Sequence, residues 1–250
     1  MQLDLMFFAF AVPSVVFAGV SKGGFGSGAA FASASILAII LTPGQALALM
    51  LPLLMLIDVA ALRPYWRRWN LRASSLIIMG GMPGVVLGAL IYRMVNDDVM
   101  RVMIGAISVG FVVWQLVGVK LMQRRRRLQF GDGVGLVSGF AAGFASFVSH
   151  AGGPPAAVYL LSQRLSKTEY QASTVLIFWI LNAVKFGFYA VLGLFTVETL
   201  WANVLLAPFA LFGTWLGVRM HFRIPEWAFF AVTYVLLTVT GIKLIWDGLV

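Results

Sequence analysis

Ser21-Lys22-Gly23-Gly24-Phe25-Gly26-Ser27-Gly28 interrupts an apolar run, 5–41, with four glycines and a lysine. At an offset of 129 residues, His150-Ala151-Gly152-Gly153-Pro154-Pro155 interrupts a second run, 131–163. Read as one helix, the first run would extend about 55 Å, at roughly 1.5 Å per residue. That is nearly twice the hydrocarbon thickness of a bilayer. The arms flanking the glycines, about 14–16 residues each, are short for a full crossing. The economical solution is a re-entrant hairpin, two short helices meeting at a glycine-rich tip. Non-helical backbone is tolerated at that depth only where it lines a protein cavity. Glycine- and proline-interrupted segments at matching places in two halves point to a transporter's binding site.

Composition sets the same frame. The 250 residues are 61% hydrophobic and 11% charged, against roughly 25% charged in an ordinary soluble domain, so the chain reads as an integral membrane protein. The net charge of +9 sits in short loops between apolar runs. That placement fits the positive-inside rule and argues against nucleic acid as a partner. The absence of cysteine excludes disulfides and thiolate chemistry. Two histidines, His150 and His221, far apart in sequence, give no zinc pattern, so no metal or other cofactor is expected. The N-terminus lacks a basic stretch and reads as mature sequence, not a cleaved signal.

Six further runs have spanning length, near 43–62, 73–92, 102–119, 170–192, 199–219 and 227–246. If both interrupted runs double back and loop 63–72 is cytoplasmic, Arg63, Arg67, Arg68, Arg72, Lys120, Arg124 to Arg127, Arg164, Lys167, Arg219 and Arg223 lie inside. Only Arg93, Arg101 and Lys243 then lie outside, a better fit to the positive-inside rule than simple crossings give. Each half then crosses three times, and the second half is inverted relative to the first. The 129-residue offset aligns Gly23-Gly24 with Gly152-Gly153, Gly84 and Gly88 with Gly213 and Gly217, and Asp97 with Glu226, without a gap. The expected fold is therefore an all-α polytopic membrane protein of two inverted repeats, each a glycine-rich re-entrant or broken hairpin plus three transmembrane helices. The repeats occupy 1–122 and 133–250, joined by a basic cytoplasmic linker, 123–132, that touches anionic lipid. The spaced glycines Gly80, Gly84 and Gly88 read as helix-packing positions. Tryptophans at span ends, such as Trp66, Trp69, Trp201 and Trp227, read as an interfacial belt, and Asp97, Asp98, Glu198 and Glu226 as solvated caps.

A half-helix that starts inside a membrane presents unpaired N–H groups and the positive end of its dipole, which suit an anion. Glycine lets an oxyanion reach the backbone. The expected substrate-binding set is Ser21, Lys22, Gly23, Gly24, Gly26, Ser27, Ser149, His150, Gly152, Gly153, Asn182 and Lys185, with hydroxyl support from Ser146. Lys22 is costly at membrane depth unless paired or hydrated, and would face the substrate. Asn182 and Lys185 lie one turn apart on one helix face. Asp58, acidic inside a spanning run, is expected either to pair with Lys185 or to carry a coupling proton; His150 is the other proton candidate. No catalytic residue is assigned.

The runs Gly19 to Gly28 and Gly143 to Pro155, with the repeat and basic linker, resemble the sulfite exporter TauE/SafE family of bacterial membrane permeases along essentially the whole chain. The resemblance implies transport of small sulfur-containing anions, sulfite or organosulfonates, across the bacterial cytoplasmic membrane. A secondary carrier is expected, an exporter working by alternating access, in contact with lipid and compatible with a homodimer. Two rivals remain: an anion channel, and an intramembrane hydrolase built on Ser149 and His150.

Overall fold

The computed structural model describes residues 3–25, 29–118, 129–220 and 226–250, and these form helices and connecting turns. In chain order the α-helices are α1 Leu5–Val20, α2 Ala32–Leu37, α3 Pro43–Leu62, α4 Leu71–Met94, α5 Asp97–Val113, α6 Asp132–Ser149, α7 Gly153–Ser162, α8 Lys167–Val191, α9 Val197–Met220 and α10 Glu226–Leu249. Single π-helical turns extend α1 over Ser21–Phe25 and α5 over Trp114–Gly118. Among the described residues, eight helices are long and apolar enough to cross a membrane. Six of them coincide with the uninterrupted spans expected from hydropathy. Gly26, Ser27, His221, Arg223 and the Arg124 to Arg127 run lie outside the described residues.

Local chemistry places the helix starts. Thr42 and Gln45 form a reciprocal capping box at α3, with Pro43 in the first turn, and Ser166 and Glu169 form another at α8. Asn70 and Asn96 side chains accept the first free N–H groups of α4 and α5. Asp97 and Asp98 open α5 and Glu198 lies in the first turn of α9, where the helix dipole favours negative charge.

The two interrupted runs differ from the equal short arms expected. The first arms are long: α1 with its π turn is continuous from Leu5 to Phe25, and α6 has 18 residues. The second arms, α2 and α7, have 6 and 10. The glycines do not end α1 at once because Gly23 and Gly24 are pressed against the α9 backbone at Thr214 and Gly217. A Cβ on either would lie 2.5 Å from the facing carbonyl oxygen. In the second half the chain does break, at His150, whose left-handed backbone (φ 58°, ψ 11°) caps α6. That conformation is unfavourable for a residue with a Cβ and turns the chain sharply.

Helix pairing is reciprocal between the halves. α4 lies along α6, and α1 along α9; α3 packs on α9, and α8 on α4; α5 pairs with α10, and α3 with α8. Close backbone approach makes the α4–α6 crossing. A Cβ on Gly143 would collide with the Gly81 carbonyl, and one on Gly84 with that of Phe140. Gly143→Val should therefore cost at least about 1–3 kcal/mol by overpacking a contact with no flexible side chain to yield. Thermal unfolding in detergent reads this, and an unchanged midpoint would show that α4 and α6 can separate freely.

The outer surface is apolar. Met79, Val191, Val204, Val232 and Leu249 are exposed on the helix exteriors. A periphery of this kind on eight long apolar helices makes the chain a multi-pass membrane protein. Trp66, Trp201 and Trp246 are also outward-facing.

Candidate functional site

The π turn after α1, the α6–α7 break, the middle of α8 and the C-terminal part of α3 converge. Lys22 leaves the π turn and is 5% exposed; its Nζ lies 2.5 Å from Asp58 Oδ1 on α3. Asp58 is 1% exposed, and its other carboxylate oxygen accepts from Asn182 Nδ2 on α8 at 2.9 Å. One helical turn along α8, the fully buried Lys185 donates at 2.9 Å to the Ser146 carbonyl and to Ser146 Oγ. Lys185 Nζ is also 2.9 Å from His150 Nδ1. The other ring nitrogen of His150, Nε2, is 3.1 Å from the Leu47 carbonyl on α3. A carbonyl only accepts, so Nε2 carries the hydrogen and Nδ1 accepts from Lys185. Tyr189, on the same α8 face, donates to the Phe147 carbonyl at 2.7 Å and steadies the last turn of α6. From α8, Gln171 Nε2 donates to the Lys22 carbonyl at 3.0 Å.

The structure corrects one pairing. Asp58 forms its ion pair with Lys22, not with Lys185, because Lys185 is drawn to the C-terminal end of α6. The Ser146 carbonyl, which also accepts the His150 N–H at 3.0 Å, lies in the last turn of α6, where the negative end of the helix dipole favours an ammonium group.

A cavity of about 10 Å³ lies among these groups, lined by Lys22, Ala30, Leu54, Ser146, His150, Gly153, Phe178 and Asn182. That is room for about one water molecule. The two interrupted segments thus contribute to one chamber. Not every expected site residue faces it. Gly23 and Gly24 are occupied with α9, and Gly152 packs against the Ala142 carbonyl and the Phe178 ring. Ser21 is buried. Ser149 Oγ donates to the Ala145 carbonyl at 3.1 Å, while both His150 nitrogens are engaged elsewhere, so the two do not make a nucleophile–base pair.

A larger apolar cavity, about 450 Å³, lies between α5 and the α6–α7 break, lined by residues that include Phe111, Trp114, Phe144 and Pro155. Its walls lack charged side chains, so it does not suit an anion. Sequence reading missed Gln171, the Leu47 carbonyl and Tyr189. Tyr189 was recoverable: Phe178, Asn182, Lys185 and Tyr189 follow an i, i+4, i+7, i+11 stripe. The other two act through tertiary contacts that no spacing encodes.

Neither a curated protein nor a solved structure matches the chain. A family model does, described as sulfite exporter TauE/SafE, and it matches residues 11–244, which include both interrupted segments and every residue of the buried cluster. The chain therefore belongs to the sulfite exporter TauE/SafE family, which implies a membrane transporter of sulfur anions.

Proposed function

We propose that the protein is a secondary carrier of small sulfur oxyanions or organosulfonates, exporting them across the bacterial cytoplasmic membrane by alternating access. The observation that carries this reading is the convergence of Lys22, Asn182, Ser146 and a neutral His150 on one chamber between the interrupted segments, with Lys185 bonded to the last two. In this reading Lys22 and Lys185 attract the anion, while Asn182 and Ser146 donate to its oxygens. Gly153, at the start of α7, lines the chamber and offers its own backbone N–H, the two prolines after it having none. The reciprocal pairing of α1 with α9 and of α6 with α4 supports two inverted repeats. The short second arms α2 and α7 support hairpins that double back. One half rocking on the other would open the chamber to each side in turn.

Counterflow tests the reading. Sealed proteoliposomes preloaded with unlabelled sulfite or isethionate should accumulate the labelled anion transiently, with saturable rates. Flux without saturation or trans-stimulation would indicate a channel. Chemical conversion without vesicle accumulation would indicate an enzyme. Either outcome overturns the carrier.

A further inference from the structure

Asp58 occupies the donors that an incoming anion needs. Lys22 and Asn182 both line the chamber, and both are engaged by the Asp58 carboxylate, one on each oxygen. The carboxylate is buried, and among the described residues these two are its hydrogen-bond donors. The free space beside it admits about one water. A sulfonate or sulfite presents the same chemistry as a carboxylate, negative oxygens at hydrogen-bonding distance from an ammonium and an amide. The two anions cannot share these donors, since like charges in a low-dielectric site repel strongly.

We infer that Asp58 is the resident anion of the empty carrier, and that a substrate anion displaces it while Asp58 takes up one proton. This rests on the carrier reading above. The step balances: Asp58 carboxylate plus a proton gives the neutral acid, and the substrate takes its place beside Lys22. Leaving the displaced carboxylate ionised would strand an unpaired buried charge, which proteins avoid by neutralisation. A monovalent anion entering with one proton leaves the charge of the site unchanged.

The charged groups facing Asp58 are Lys22, on the turn after α1, and Lys185, on α8. His150 stands behind Lys185. Asn182 on α8 is the remaining polar contact, and α9 contributes no ionisable group to the Asp58 hydrogen bonds. His150 is the poorer proton carrier in this arrangement. Its Nε2–H is spent on the Leu47 carbonyl, and a proton at Nδ1 would point at the Lys185 ammonium.

The test is the pH dependence of isethionate binding to the purified full chain in detergent, chosen because a sulfonate stays ionised throughout. Apparent affinity should fall about tenfold per pH unit as pH rises from about 6 to about 8, the slope of one proton taken up per anion bound. Asp58→Asn should flatten that slope to zero. If the variant does not fold, a pH indicator in weakly buffered wild-type protein should report about one proton consumed per anion bound. A pH-independent affinity, or no proton uptake, overturns the inference while leaving the carrier reading intact. Failure of both isethionate and sulfite to bind at any pH overturns both together.

Discussion

Lys22→Met is expected to lower the unfolding midpoint in detergent sharply and to abolish anion binding. The methionine fills much of the lysine's volume but leaves Asp58, 1% exposed, with Asn182 as its one remaining hydrogen-bond donor. Removing one partner of a buried ion pair costs about 3–5 kcal/mol, because the other charge stays buried without compensation. Lys22→Met with Asp58→Asn should recover much of that stability, since the stranded charge is gone. It should not recover binding, since the chamber then lacks the cation facing the anion. The contrast separates a structural lysine from a binding one. Thermal unfolding and equilibrium binding on the three proteins decide it, and a double variant that binds like wild type would remove Lys22 from the site.

Lys185→Met is expected to reduce transport by about 100-fold or more while disturbing the fold less than Lys22→Met does. No carboxylate is orphaned by the change. The loss falls on the α6–α7 break, where Lys185 holds the Ser146 carbonyl, Ser146 Oγ and His150 Nδ1 together. A charge-assisted hydrogen bond is worth about 1.5–3 kcal/mol, so losing this set accounts for a rate effect of that size. Labelled-anion counterflow measures the rate, and nitrogen NMR of His150 measures its surroundings. Normal flux with an unaltered imidazole signal would show that Lys185 serves neither purpose.

The helix inventory was legible because each spanning run is long and apolar and its ends carry caps such as Thr42-Pro43-Gly44-Gln45 and Ser166 to Glu169. The two interruptions were legible for the opposite reason, glycine and proline inside apolar sequence. Their internal geometry was not. The glycines of the first segment read as a break, yet Gly23 and Gly24 continue α1 as a π turn because α9 presses on them. No local signal announces a helix that packs from 190 residues away. The pairing of Asp58 was illegible for a related reason. Periodicity puts Asn182 and Lys185 on one face of α8, but which cation reaches Asp58 depends on where the end of α6 draws Lys185. The candidate cluster therefore came from residue type, and its wiring from tertiary structure.

Anomalous difference density from protein loaded with selenite, a heavier stand-in for sulfite, tests the placement of the anion most directly. The selenium should lie in the chamber bounded by Lys22, Ser146, His150 and Asn182, with Asp58 turned away from Lys22. Selenium bound instead in the apolar cavity beside Phe111 and Trp114, or at the basic surface loops with the Lys22–Asp58 pair intact, would contradict the account.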